Sequence, residues 1–147
     1  MLTRLPPDKM GEEILRQPDR FPPVAVVRAA DVVFKAARAL PEVDATQLFR
    51  RLIPVLQGAL ARIEAGDESG VDHSSFAMAV GLLGFSHEFL GETQLAANFY
   101  TRGLTAQPQN DGLLVARGIL LYGSSPRAIS DLELAVRQGS PVIWPYF

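Results

Sequence analysis

The chain has 147 residues, enough for one ordinary domain that buries roughly 68–70% of its unfolded surface without a disulfide or metal staple. It has no cysteine, which excludes a disulfide framework, a thiolate zinc site and a cysteine nucleophile. Hydrophobic residues at 48% and charged residues at 20% exclude a disordered chain, and a net charge of −2 argues against a protein built to grip phosphate backbones.

Five of the eleven prolines fall in residues 1–23: Pro6, Pro7, Pro18, Pro22 and Pro23. Proline fixes φ and removes a donor, so this stretch holds at most one short helix, about Asp8 to Gln17. Residues 1–22 read as an arm lying over the domain or a loose tail; the arm is favoured because Ile14, Leu15 and Phe21 would otherwise face water. The start has no apolar run of seven residues, so it does not read as a secretory leader. No run of eighteen apolar residues occurs, and the expected compartment is the cytoplasm.

From Val24 to Leu40 the pattern is helical. Arg28, Asp31, Lys35 and Arg38 fall on one narrow stripe, with Asp31 and Lys35 paired at i,i+4. Pro41 ends this helix, and Asp44 with Gln47 has the spacing of an N-cap and its reciprocal partner. Leu48, Leu52, Leu56, Leu60 and Ile63 then form a long seam that Pro54 interrupts, giving either one kinked helix over 45–65 or two helices. The run from Gly66 to Asp72 is a polar loop, with Asp72 as N-cap of the next helix. No run alternates apolar and polar residues, so the predicted fold is all-α.

An internal period appears in the second half. Leu83-Gly84 is followed twelve residues after the glycine by Ala96, then by Tyr100, Gly103 and Pro108, with Gly91-Glu92 where two helices turn. Gly118 lies thirty-four residues after Gly84, and Ala128, Leu132 and Ala135 repeat the spacing of Ala96, Tyr100 and Gly103. Ser125-Pro126 reads as the N-cap and first residue of a helix, and Gly139 as its stop. The turn of this second copy reads as two residues shorter, and Arg117 stands where leucine is expected. The pattern resembles the tetratricopeptide repeat (TPR), which stacks antiparallel helix pairs.

The resemblance implies TPR-like repeats over 73–147, with copies at about 77–110 and 111–141, behind capping helices at 23–65. The cap does not carry the pattern, since Arg50 and Arg62 stand thirty-four residues before Gly84 and Ala96. The expected architecture is therefore a short α-α superhelix of antiparallel pairs with N-terminal capping helices. The end, with Val142, Ile143, Trp144, Tyr146 and Phe147, resembles the opening of a third repeat. Either the repeat is cut short there, or the apolar end packs back as a plug.

In this family the first helices of successive repeats line a concave groove that receives a segment of another protein. Here those helices are about 75–90 and 112–123. The first carries Met78, Phe85 and Phe89 on one face, with Gly81 and Glu88 among them; the second carries Val115, Ile119 and Tyr122. Such a face suits apolar side chains in helical or extended geometry. It does not suit a free carboxylate, because Gly81 and Phe85 stand where the carboxylate-clamp members carry lysine and asparagine. The competing reading is that Phe85, Phe89 and Ile119 pack against the arm or the helix over 45–65.

Signals for chemistry are weak. His87 reads as a packing side chain, and His73 with Asp72, Ser74 and Ser75 as a helix start. No histidine pair has metal-ligand spacing, and the glycines from 81 to 91 lack the lysine of a phosphate loop. Residues 1–65 carry ten basic and eight acidic groups, residues 66–147 four and eight, a weak bias toward neutral or basic partners. The expected protein is a non-enzymatic adaptor or assembly scaffold for another protein or peptide, with no cofactor, metal, nucleic acid or membrane partner. The alternatives are a secretion-type chaperone, or a self-assembling subunit that pairs through its C-terminal edge.

Overall fold

The computed structural model describes residues 7–37, 39–66 and 73–139. Among them are seven α-helices, one short 3-10 turn and no strand, so the protein is all-α. The helices are α1 (Pro7–Arg16), α2 (Pro23–Ala37), α3 (Glu42–Glu64), α4 (His73–Phe89), α5 (Thr93–Ala106), α6 (Asp111–Leu121) and α7 (Pro126–Arg137), with the 3-10 turn at Pro18–Arg20. Each helix packs on the next from α1 to α7, and α4 also touches α2 and α6. Thus α2, α4 and α6 are neighbours along one side. Arg38, the loop after Gly66 with Asp72, and the apolar end from Ser140 onward lie outside the described residues.

The arm is held by burial and by one arginine. Ile14, Leu15 and Phe21 pack against the core formed by α2, α3 and α4. The Arg62 guanidinium of α3 donates to the carbonyls of Phe21 (2.9 Å) and Pro18 (3.3 Å). In α2, Pro23 opens the helix, where its missing N–H costs nothing. Asp31 and Lys35 form the expected ion pair at 3.1 Å.

One reading of α3 is corrected, and one open alternative is settled. The helix starts at Glu42, so Asp44 lies inside its first turn and is not the N-cap. Pro41, extended at φ −55° and ψ 150°, leads the chain in, and the carboxylates of Glu42 and Asp44 favour the positive end of the helix dipole. Of the two outcomes open at Pro54, the structure has one continuous helix. Pro54 and Arg50, whose carbonyl loses its partner to the proline, are both exposed, so water can take the vacated bond.

α4 carries almost no charge, and packing explains it. Its Ala79, Val80, Leu82 and Leu83 belong to the core shared with α2 and α3. Its Ala77 belongs to a second core with Ala96, Tyr100 and Leu104 of α5, Leu113, Leu114 and Val115 of α6, and Ala135 of α7. A helix with a core on two sides cannot be amphipathic in the usual way.

Small residues set the spacing of the pairs. A Cβ at Gly84 would lie 2.4 Å from the Tyr100 ring, and one at Gly118 would lie 2.7 Å from Leu132. Position 103 is equally crowded: a Cβ there would meet Leu113 at 2.5 Å and Val80 at 2.7 Å. The two pairs therefore share one packing device, Gly84 under Tyr100 and Gly118 under Leu132. Their difference in length lies in the helices and not in the turn. The segment between α4 and α5 is 90–92, whereas that between α6 and α7 is 122–125, one residue longer; Leu121 ends α6 three residues after Gly118, while Phe89 ends α4 five after Gly84. Gly91, at φ +80°, makes the first of these reversals in a backbone region that disfavours side chains.

Arg117 replaces the expected leucine with an ion pair. Its guanidinium binds both carboxylate oxygens of Asp131, each at 2.7 Å, and reaches Thr101 Oγ1 at 3.2 Å. Asp131 is buried and Arg117 partly so, and the three partners belong to α5, α6 and α7. α7 starts as expected: Ser125 accepts the Arg127 N–H and Pro126 follows it.

Two stability predictions follow from these contacts. Gly84→Ala should cost about 1–3 kcal/mol in urea unfolding, while Gly58→Ala, in exposed helix with nothing within 4 Å, should gain up to about 1 kcal/mol. Arg117→Leu should cost about 3–5 kcal/mol, because it strands the buried Asp131 carboxylate. The double variant Arg117→Leu/Asp131→Leu should recover most of that loss.

Candidate functional site

An apolar groove of about 560 Å³ runs along the side shared by α2, α4 and α6. Phe34 of α2 stands at one wall. α4 contributes Ala77, Met78, Gly81, Leu82 and Phe85, and α6 contributes Gly112, Leu113 and Ala116. Gln107 and Asn110, in the connection before α6, are the polar lining, and Tyr100 also reaches the groove. The floor is low because Ala77, Gly81, Gly112 and Ala116 have little or no side chain. Met78 is 41% exposed, a large apolar side chain held in water.

Phe85 is fixed by an aromatic cluster. Its ring meets Phe34 edge-on at 4.6 Å and Phe49 at 6.1 Å, and Phe49 in turn meets Phe34 at 5.4 Å. Edge-to-face rings place positive edges on negative faces, so the cluster has a preferred geometry as well as buried area. Phe85 thus offers one side to the groove while its other contacts hold α2, α3 and α4 together.

The other predicted face residues divide. Met78 and Phe85 line the groove with Gly81. Phe89 is half exposed but rests on Phe49 at 4.7 Å, as the packing alternative expected. Glu88 accepts a hydrogen bond from the Tyr100 hydroxyl at 2.8 Å and does not line the groove. Val115 is corrected from groove to core: it is 3% exposed, because α4, α5 and α7 cover α6 on several sides. Ile119 is exposed outside the groove lining, and Tyr122 lies against α7 on another surface. The residues of α6 that do line the groove were available from the repeat. Gly112 and Ala116 lie thirty-four residues after Met78 and Leu82. Starting the same step from Gly81, Phe85 and Glu88 selects Val115, Ile119 and Tyr122, about a quarter-turn away.

Tyr100 is the one strongly perturbed titratable group among the described residues. Burial, and then the neighbouring Glu88 carboxylate, push its phenol far above the ordinary tyrosine range. It therefore serves as a hydrogen-bond donor to Glu88 across the α4–α5 contact, not as an acid. His87 is buried, stacks on Phe99 at 5.4 Å and contacts Glu92 Oε1 through Nδ1 at 3.1 Å. Among the described residues no three histidines or carboxylates come together as a metal site, and no helix is long and apolar enough to cross a membrane.

No protein-family model matches the chain, and no curated protein or solved structure matches it. The functional reading rests on the geometry of the groove.

The Tyr100 proton sets a sign for alkaline stability. The folded protein keeps this proton where the unfolded chain, with a tyrosine pKa of about 10, releases it. The contribution is full below that pH and is lost as pH rises above it. Urea midpoints measured across that range should fall more steeply for the native chain than for Tyr100→Phe. Equal slopes would count against the Tyr100 assignment.

Proposed function

We propose that this protein is a TPR-like helical scaffold that binds an apolar segment of another protein in the groove of α2, α4 and α6. The observation that carries the reading is the groove itself: about 560 Å³ spread over three alternate helices, with the exposed Met78 in its lining. Small residues make room for the partner's side chains, and the aromatic cluster behind Phe85 makes the wall rigid. Rigid, preformed apolar surface lowers the ordering cost of binding. The length and chemistry suit a short amphipathic helix or an extended strand with apolar anchors.

The stacking of three helix pairs, α2–α3, α4–α5 and α6–α7, supports the TPR-like reading. On this view the 23–65 cap is itself a helix pair that supplies Phe34 to the groove. The Gly84–Tyr100 and Gly118–Leu132 contacts supply the close approach that such pairs need. The protein is proposed to act in the cytoplasm by binding, with no catalytic step and no cofactor.

The test is affinity capture from the source cell with three baits: the native chain, Met78→Glu, and Tyr122→Glu as a control outside the groove. A carboxylate in the groove should weaken the partner more than about tenfold, while helical circular dichroism is unchanged. The expected result is a protein held by the native and Tyr122→Glu baits and lost from Met78→Glu. Identical capture by all three, or by none, counts against the groove.

A further inference from the structure

The amides that line the groove come from one place, the connection that leads into α6. Asn110 is the N-cap of α6, and its Oδ1 accepts the Leu113 N–H at 3.0 Å. That bond decides which end of the Asn110 amide is oxygen. Its Nδ2 therefore faces Gln107 and donates to Oε1 at 2.8 Å. The Gln107 amide is fixed in turn, with Oε1 turned to Asn110. Its Nε2 is left over, and no described residue accepts from it. A second donor lies beside this one. Gly112 is the second residue of α6, so its N–H has no carbonyl one turn back, and it lines the groove without a side chain. Asp111 is not part of the lining, and its carboxylate accepts from Gln138 of α7.

Resting on the groove as the partner site, we propose that its occupant is a helix of the partner protein, apolar face down, with its C-terminal turn at Gln107 and Gly112. The first ground is hydrogen bonding. An extended segment carries an N–H and a C=O at every residue, and an apolar groove leaves most of them unpaired. The Tyr100 hydroxyl is committed to Glu88, and the rest of the α2, α4 and α6 lining is apolar. A helix bonds its own backbone, apart from the groups at its two ends.

The second ground is polarity. The end of a helix that lacks donors is its C-terminus, where the last four carbonyls are unpaired. The groove offers donors at the start of α6, so the two ends complement each other. Charge agrees: the C-terminal end of a helix is partially negative and the N-terminal end of α6 partially positive. The reverse orientation sets donors against donors and two positive ends together. The length also fits. The α4 lining runs from Ala77 to Phe85, eight residue steps or about 12 Å, which is two turns of an occupant helix.

The probe is a set of synthetic dodecamer peptides, capped at both ends, selected on the full chain from a random displayed library. Affinity is read by fluorescence polarisation and conformation by difference circular dichroism. The expected peptides gain helix on binding and lose more than about tenfold in affinity to Met78→Glu. Gln107→Met, which removes the donor, should cost about two- to tenfold. Asn110→Ser keeps an N-cap oxygen but frees the Gln107 amide to rotate, and should also weaken binding. Both variants should keep the helical circular dichroism of the native chain. An added helical turn at the peptide's C-terminus occupies its free carbonyls and should weaken binding, while the same turn at its N-terminus should not. Loss with Met78→Glu but none with Gln107→Met leaves the groove as the site and overturns the oriented helix. Peptides that bind without gaining helix, or that are weakened only by N-terminal extension, overturn it too. Peptides indifferent to Met78→Glu, or no selected peptide at all, count against the groove itself and the oriented helix with it.

Discussion

The contact between Gly84 and Tyr100 is the constraint on which the architecture depends. The Tyr100 ring occupies the space where any side chain at position 84 would sit. α5 can therefore lie close against α4, and the phenol reaches Glu88 one turn further along. Close approach buries Ala96 and Ala97, whose small side chains suit a tightly packed helix contact. The same device, with Leu132 over Gly118, sets α7 on α6. Two helix pairs built to the same spacing can stack, and the groove along α2, α4 and α6 is a consequence of that stacking.

α4 is the element both cores share. Its first-core residues meet α2 and α3 through Val80, Leu83 and the rings around Phe85. Its other side meets α5 and α6. A change in α4 is felt in both cores, whereas a change in α1 reaches only the first, against which Ile14 and Leu15 pack. The groove runs along α4 where the two cores meet: Leu82 of the first core and Ala77 of the second both line it, with Met78, Gly81 and Phe85. Gly81 and Ala77 keep its floor low, with Leu113 of α6 3.6 Å from where a Cβ at Gly81 would sit.

Arg117 and Asp131 illustrate how a departure from a sequence pattern can be absorbed. A leucine at position 117 would gain from burial alone. The arginine instead links α5, α6 and α7 through Asp131 and Thr101, with both carboxylate oxygens engaged. A buried ion pair has little net stabilising value compared with apolar packing, but it is intolerant of misalignment. Both ends of the pair were visible in the sequence, fourteen residues apart. Their partnership was not, because it depends on how far α7 is rotated against α6.

The chain's own pattern determined the helical class, the order of the helices and the glycine and alanine positions where pairs approach. It did so because proline, glycine and the spacing of apolar residues act locally, through φ restriction, missing donors and helical period. It also marked Met78 and Phe85 as surface of interest. The tertiary structure decided what the sequence could not: that Val115 belongs to the core, that Phe89 rests on Phe49, and that the lining of α6 is Gly112, Leu113 and Ala116. The reason is rotational. α6 is apolar on several faces, and a quarter-turn separates a groove residue from a core residue. Only the packing of α4, α5 and α7 around it sets that angle.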